Sequence, residues 1–132
     1  MVSGATRQSG EEPAAGGERF GVVTRQRGDT VVLSLSGELD HDTAEPLRGA
    51  LAQQVRLGTK RILVDCGGLR FCDSTGLNVL LHGRLDAREV DGRVDLAALR
   101  PPVARMLEIT GANAVFRVYA GVEEALADER SV

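Results

Sequence analysis

The sequence feature that most constrains the fold is a short run of large apolar residues, Ile62-Leu63-Val64, within residues 61–65. Amphipathic helical patterns precede and follow this run along the chain. A run of this length between two helices is typical of an interior strand in a parallel sheet that helices cover. The run therefore predicts an α/β protein.

The segment before this strand is typical of a β-hairpin. Residues 20–26 and 30–36 are predicted strands, and Gly28-Asp29 between them is a turn sequence. Val31, Leu33 and Leu35 share one face of the second strand, which is the pattern of a half-buried strand. The hairpin makes the predicted sheet mixed.

A first helix is predicted to begin at Asp42-Thr43-Ala44-Glu45, a variant of the capping box in which Asp42 is the cap. Pro46 is tolerated in the first turn, where amides have no intrahelical acceptor. Apolar residues at helical spacing mark one buried face, and Gly58 ends the helix. These buried residues are Leu47, Leu51 and Val55.

A second helix is predicted over residues 74–90, closed by Asp91-Gly92. Its expected inner residues are Leu77, Leu80, Leu81 and Leu85.

The rest of the chain continues the alternation of strands and helices. Residues 94–97 are a fourth predicted strand, Pro101-Pro102 opens a helix that Gly111 ends, and residues 115–118 are a last strand before a helix over residues 122–127. In the third helix Val103, Met106 and Leu107 are expected to face inward. The pattern predicts a mixed sheet of about five strands with about four helices, mainly on one face.

The chain length of 132 residues fits one domain. Residues 1–19 are rich in Gly, Ala, Ser, Glu and Pro, and their only large apolar side chains are Met1 and Val2, so we expect a flexible tail. The predicted domain spans residues 20–128, and residues 129–132 form a C-terminal tail.

Composition disfavours several functions. The net charge is −3, neither sign forms a long block, and aromatic residues make up 3% of the chain, so nucleic-acid binding is not expected. Cys66 and Cys72 lack the further Cys or clustered His of a zinc site. No apolar run has the length of a membrane span, and a reducing cytoplasm is the simplest compartment.

One segment places a hydroxyl where a phosphate is favoured. In Phe71-Cys72-Asp73-Ser74-Thr75-Gly76-Leu77, a loop after the buried strand delivers Ser74 onto the first turn of the second helix. The positive field of a helix N-terminus favours phosphate. Asp73 or Ser74 can equally serve as an ordinary helix cap, and the local sequence alone favours that simpler role.

Other residues near this segment have simple structural explanations. A hydrolase triad of Ser74 with His41 or His82 lacks the Gly-x-Ser-x-Gly elbow, because Cys72 and Gly76 flank the serine. Gly67-Gly68 lacks the spacing and lysine of a phosphate-binding loop, so we expect it to form a turn. Cys72 is expected to be a packing residue, and redox control is the minor alternative.

Two motifs together carry a family resemblance. The segment Gly37-Glu38-Leu39-Asp40-His41-Asp42-Thr43-Ala44, followed by the Ser74 segment, closely resembles the bacterial anti-sigma factor antagonists, the single-domain members of the STAS family. The resemblance covers most of residues 20–128 and implies a STAS-like fold. It also implies a cytoplasmic regulator of transcription in a stress response.

The resemblance further implies a partner-switching mechanism. In such proteins the unphosphorylated antagonist binds an anti-sigma factor that is also a serine kinase, and so frees a sigma factor. The kinase uses ATP to phosphorylate and inactivate the antagonist, and a serine phosphatase reverses this. Ser74 matches the phosphorylated serine, with Thr75 as a less favoured second site. The implied partner-binding residues are Asp40, His41, Asp73, Ser74, Thr75 and Gly76.

The resemblance implies no enzymatic activity, cofactor or metal. The alternative within the same family is a binding or scaffold module of a stress-sensing complex, without control of a sigma factor. STAS domains attached to anion transporters are a further alternative, which the absence of an apolar span disfavours.

Overall fold

The computed structural model describes residues 19–128. The predicted tails, residues 1–18 and 129–132, lie outside the described residues. Arg19, which the sequence places in the tail, contacts the domain: its carbonyl oxygen accepts a hydrogen bond of 2.7 Å from the Glu38 N–H.

A five-stranded mixed sheet forms the centre of the fold, with strands in the order β1-β2-β3-β4-β5. Strands β1 (Phe20–Arg27) and β2 (Thr30–Leu39) form the predicted antiparallel hairpin. Strands β3 (Arg61–Cys72), β4 (Arg93–Ala97) and β5 (Val118–Tyr119) follow in parallel. The α/β fold predicted from the apolar run is confirmed.

Helices cover the two faces of the sheet unequally. Helices α1 (Glu45–Arg56), α2 (Ser74–Glu89) and α3 (Pro101–Thr110) pack on the face that carries Ile62 and Val64. The short helix α4 (Val122–Ala127) packs on the other face, over Leu63. Because successive strand residues point to opposite faces, the apolar run is buried by both layers. The prediction of helices mainly on one face is confirmed.

Strand β3 differs from the prediction in its length. The sequence ends the strand at residue 65 and expects a loop to Ser74, but the strand continues to Cys72. The pairing of β2 with β3 shifts register between Ser34 and Ser36, and Gly68 lies opposite Ser36. A Cβ atom on Gly68 would lie 2.7 Å from the Leu35 carbonyl oxygen. The expected turn at Gly67-Gly68 is therefore wrong, since Gly68 permits a close approach of two strands.

Two smaller predictions are also wrong. The last strand was predicted over residues 115–118, but strand β5 covers only Val118–Tyr119. Residues 112–114, which come directly after α3, form a single 3-10 turn. Leu85 of α2 is exposed, and Gly83 and Ala87 take the buried positions beside it. In this last part of the helix small residues are buried, and a Cβ atom on Gly83 would lie 2.8 Å from the Leu51 side chain of α1.

Gly37 is expected to be essential for the end of β2. Its φ is +93°, and a Cβ atom there would lie 1.9 Å from the Arg19 carbonyl oxygen. We expect Gly37→Ala to lower the free energy of unfolding by about 3 kcal/mol, through left-handed strain and a backbone clash. Gly28→Ala is the control, because Gly28 has a φ of +61° and no atom nearby. It should cost about 1 kcal/mol in urea unfolding. Equal losses would contradict the role of the clash.

Candidate functional site

The ends of β2 and β3 bring the two sequence motifs together. Leu39 and Cys72 are the last paired residues of these parallel strands. The Asp73 N–H donates a hydrogen bond of 3.1 Å to the Leu39 carbonyl oxygen. Asp40 and Asp73 therefore leave the sheet side by side. We call the surface formed by Asp40, His41, Asp73, Ser74 and Thr75 the Ser74 site.

Asp73, and not Ser74, caps helix α2. The Asp73 Oδ1 atom accepts a hydrogen bond of 3.0 Å from the Gly76 N–H. Ser74 is the first residue of the helix and is exposed. Its hydroxyl has no hydrogen-bond partner among residues 19–128. Asp73 thus caps the helix, while the neighbouring Ser74 presents the exposed hydroxyl.

The first turn of α2 leaves amides free for an anion. A helix has no internal acceptors for its first amides, and Asp73 already occupies the Gly76 N–H. The Ser74 and Thr75 amides remain beside the Ser74 hydroxyl, within the positive end of the helix dipole. A phosphate on Ser74 would find hydrogen-bond donors without breaking the cap.

Gly76 supports the site from beneath. Gly76 is buried, and a Cβ atom there would lie 2.7 Å from Leu39 Cγ and 2.9 Å from Cys72 Sγ. The close approach of α2 to the strand ends requires glycine at this position. The structure gives Gly76 a packing role, and its contact with a partner stays a prediction. Thr75 is half-buried beside the exposed Ser74.

A network of hydrogen bonds holds Asp40 between β2 and α1. The Asp40 Oδ1 atom accepts a hydrogen bond of 2.9 Å from the Asp42 N–H. The Thr43 hydroxyl accepts a bond from the Asp40 N–H and donates one to the Glu38 carbonyl oxygen. Arg19 pairs with the Asp40 carboxylate from the opposite side.

Asp42 does not have its predicted role as a helix cap. Helix α1 begins after Ala44, which provides no side-chain cap. The sequence pattern lies near the observed helix start, but no capping box forms, and the local hydrogen bonds involve Asp40 and Thr43 instead.

The environment of Asp40 favours its charged form. Partial burial raises the pKa of Asp40, but the Asp42 N–H, the charge of Arg19 and the Thr43 hydroxyl together lower it more. The net result is a pKa below the ordinary value. At neutral pH the Ser74 site therefore carries the charged carboxylate of Asp40.

His41 projects from the same loop into solvent. Its side chain is 74% exposed, and its Nε2 atom lies 3.2 Å from Asp42 Oδ1. The imidazole is available to a docking protein, which is the role that the family resemblance implies.

The arrangement does not form a hydrolase triad. His82 lies eight residues after Ser74 on the same helix, a rise of about 12 Å. His41 contacts Asp42, and neither histidine is hydrogen-bonded to Ser74 in the part of the chain that the structure describes.

The cysteine next to the site is a packing residue. Cys72 is buried, and burial together with the nearby charge of Asp73 raises the pKa of its thiol to about 12. Burial likewise raises the pKa of the Cys66 thiol. Both thiols are free and stay protonated at neutral pH, so they are poor nucleophiles.

Two residues of this region were missed by the sequence analysis. Arg19 pairs with Asp40 and Glu38, yet it lies in a segment whose composition indicates a tail. Phe71 is 48% exposed at the end of β3, opposite Glu38. Because β3 was predicted to end earlier, nothing in the sequence pattern indicated on which face Phe71 would lie.

Residues 19–128 contain neither a metal-binding cluster nor a helix that could span a membrane. No group of His, Cys, Asp or Glu side chains has an arrangement that could hold a metal ion. Every helix in this range is too short or too polar to cross a bilayer.

Comparison with known proteins identifies the family. A family model described as "Mlab, STAS domain" matches residues 22–119. The chain belongs to the STAS domain family. The resemblance expected from the two motifs is thereby confirmed.

Relatives of this STAS domain include anti-sigma factor antagonists. It is 35% identical to BtrV of Bordetella bronchiseptica over 97 residues, which cover 74% of this chain and 84% of BtrV. It is 32% identical to the anti-sigma F factor antagonist of Lysinibacillus sphaericus over 91 residues, which cover 68% of this chain and 75% of the relative.

Solved structures of a related antagonist share the fold. The unphosphorylated form of the anti-sigma factor antagonist SpoIIAA matches with a TM-score of 0.73 and 27% identity, covering 85% of this chain and 98% of that chain. The phosphorylated form of Bacillus SpoIIAA matches with a TM-score of 0.65 and 27% identity, covering 80% and 96%.

The two capping candidates are expected to differ in their effect on stability. Asp73→Ala should lower the free energy of unfolding by about 1 kcal/mol, because the Gly76 N–H loses its acceptor. Ser74→Ala should change it by less than about 0.5 kcal/mol, since its hydroxyl makes no bond within the described domain. Urea unfolding of both variants measures the difference, and a larger loss for Ser74→Ala would contradict the assignment.

The contribution of Asp40 to stability is expected to depend on pH. Folding lowers its pKa from the ordinary 3.8, so the carboxylate stabilises the fold above that pH. This contribution is lost as the pH falls through the lower pKa of the folded state. Asp40→Asn should therefore be less stable than the wild type at neutral pH, with a deficit that shrinks in acid.

Urea unfolding across the acidic range measures this deficit. Asp86→Asn is the control, because Asp86 is exposed on α2 and has no ion pair among residues 19–128. A deficit for Asp40→Asn that grows towards low pH would refute the assignment.

Proposed function

We propose that the protein is an anti-sigma factor antagonist that docks through the Ser74 site and is switched off by phosphorylation of Ser74. The single observation that carries this proposal is the separation of roles at the start of α2. Asp73 provides the cap, and the adjacent Ser74 hydroxyl is exposed and unbonded within the described residues. A kinase can reach that hydroxyl without disturbing the helix.

The proposed partner is an anti-sigma factor with serine kinase activity, with a serine phosphatase to reverse the modification. The names of the L. sphaericus relative and of SpoIIAA support an anti-sigma factor as the class of partner. The binding role is that of a regulatory protein without catalytic activity of its own. The names of the relatives are those of antagonists of anti-sigma factors, which supports this view.

The Ser74 site combines features of a docking surface. His41 is exposed on one side, and Phe71 provides an exposed aromatic ring on the neighbouring strand. Aromatic side chains are frequent anchors in protein interfaces. The Asp40 carboxylate is fixed by its network, so the partner meets a preorganised charge.

Phosphorylation would change this surface locally. The γ-phosphoryl group of ATP is transferred to Ser74 Oγ, and ADP leaves. The product carries about 1.5 to 2 additional negative charges next to Asp73 and near Asp40, which repels an acidic or closely packed partner surface. Helix amides stabilise the phosphate, so the fold is expected to survive. Both forms of SpoIIAA have this fold, which supports a local effect.

Phosphorylation and binding assays test the proposal. Incubation with the cognate anti-sigma factor and ATP should place one phosphate on Ser74, as located by mass spectrometry. Ser74→Ala should remain unmodified and bind the anti-sigma factor like the wild type. Ser74→Asp and the phosphorylated wild type should bind at least about ten-fold more weakly. Thr75→Ala is the matched control and should still be phosphorylated.

Two results would refute the proposal. One is phosphate located on another residue in the wild type. The other is equal affinity of phosphorylated and unmodified protein for the anti-sigma factor, which would favour a scaffold module without this control.

A further inference from the structure

Four arginines converge on a cavity at the edge of the sheet opposite the Ser74 site. The cavity has a volume of about 430 Å³. Arg84 and Arg88 reach it from the second half of α2, Arg93 from the start of β4, and Arg117 from the residue before β5. We call this group the arginine cavity. These arginines come from separate parts of the sequence, so no basic run indicated them.

The positive charge of the arginine cavity is poorly compensated. Asp95 is the one carboxylate among the described residues that line it. The side chains of Arg84, Arg88 and Arg117 have no hydrogen bond or ion pair with any residue between 19 and 128. Several arginines of like charge therefore line one concave surface, with Arg88 and Arg117 exposed to solvent, and an anion bound there would reduce their repulsion.

Asp95 is itself shared by two guanidinium groups. Its Oδ2 atom accepts hydrogen bonds from Arg93 Nη2 at 2.7 Å and from Arg61 Nε at 3.1 Å. Arg61 and Asp95 are both buried, and the Arg61 Nη2 atom has no hydrogen-bond partner. The Arg61 guanidinium lies over the Tyr119 ring, 5.6 Å from its centroid. Asp95 Oδ2 is therefore shared between Arg93 and Arg61, and no hydrogen bond within residues 19–128 joins Asp95 to the other three arginines of the cavity.

Known stabilising effects account for only part of this arrangement. Arg88 lies in the last turn of α2, where the helix dipole favours a cation. The helix dipole does not explain the position of Arg84, one turn earlier in α2. It also does not explain Arg93 at the start of β4 or Arg117 just before β5. The walls of the cavity also include Val94, Val115 and Phe116, so an apolar surface lies beside the charges.

We propose that the arginine cavity binds a small anion that carries at least two phosphate groups. The planar guanidinium fork matches the oxygens of a phosphate in bidentate hydrogen bonds. Three uncompensated charges exceed what one carboxylate can neutralise, and they match a diphosphate. The volume lies within the range of small-molecule pockets and exceeds the size of a single phosphate ion. This proposal is independent of the function proposed for Ser74.

Calorimetric titration of the full chain with pyrophosphate, at low ionic strength, tests the proposal. The wild type is expected to bind pyrophosphate more tightly than orthophosphate or citrate. Arg84→Gln and Arg117→Gln should each weaken pyrophosphate binding by about ten-fold or more, through loss of a charged hydrogen-bonding partner. Arg105→Gln, an exposed arginine of α3 outside the cavity lining, is the matched control and should keep full affinity. Ser74→Ala should also keep it.

Thermal unfolding separates a ligand site from a structural role. Without ligand, Arg84→Gln should unfold at the same or a higher temperature than the wild type, because one repulsive charge is removed. Pyrophosphate should raise the unfolding temperature of the wild type and of Arg105→Gln, but much less that of Arg84→Gln.

Four results would overturn the proposal. The first two are a wild type that does not bind pyrophosphate, and a wild type that binds citrate as tightly as pyrophosphate. The third is a loss of pyrophosphate affinity in Arg105→Gln equal to that in Arg84→Gln. The fourth is a change in the sedimentation of Arg84→Gln without a change in its pyrophosphate affinity. The last result would assign the arginines to a contact between protein chains.

Discussion

The parallel pairing of β2 with β3 is the constraint on which the Ser74 site depends. The pairing has two register shifts but continues to Leu39 and Cys72, the last residues of the two strands. Because parallel strands end at the same edge of a sheet, the segments that follow must start side by side. The hydrogen bond from the Asp73 N–H to the Leu39 carbonyl oxygen fixes this neighbourhood. Gly76 then lets α2 approach to within contact of Leu39. Two motifs far apart in sequence thus become one surface through backbone geometry.

At the start of α2, two adjacent residues have separate roles: Asp73 caps the helix and Ser74 presents an exposed hydroxyl. A serine that caps a helix through its own hydroxyl would lose that bond when modified. Here the cap is the Asp73 carboxylate, so a phosphate on Ser74 would not remove the capping group. The Asp40 carboxylate is similarly held by the Asp42 N–H and Arg19, so both acidic groups have fixed positions relative to Ser74. A phosphate would therefore act by adding charge to a rigid surface.

Local sequence patterns predicted the elements better than their ends. The alternation in β2, the apolar run in β3 and the glycine after α3 indicated elements that the structure contains. The extension of β3 was missed because Gly67-Gly68 is a turn signal in isolation, whereas the neighbouring backbone of Leu35 requires glycine in the strand. The position of Ser74 at a helix start could be predicted from local residues. The local residues did not show whether Asp73 or Ser74 caps the helix. The contacts of Arg19 and Phe71 could not be predicted, because they depend on strand pairing across the sheet.

The net charge of −3 conceals a separation of charge along the molecule. Acidic side chains of the Ser74 site lie where β2 and β3 end, and the arginine cavity lies at the opposite edge, where β4 begins. Helix α2 connects the two, since Arg84 and Arg88 follow Ser74 along its axis by about 15 and 21 Å. At these separations salt screens most of the interaction between the two groups of charges. The acidic Ser74 site and the arginine cavity can therefore each bind a group of opposite charge without neutralising one another. The net charge of the sequence does not reveal this separation.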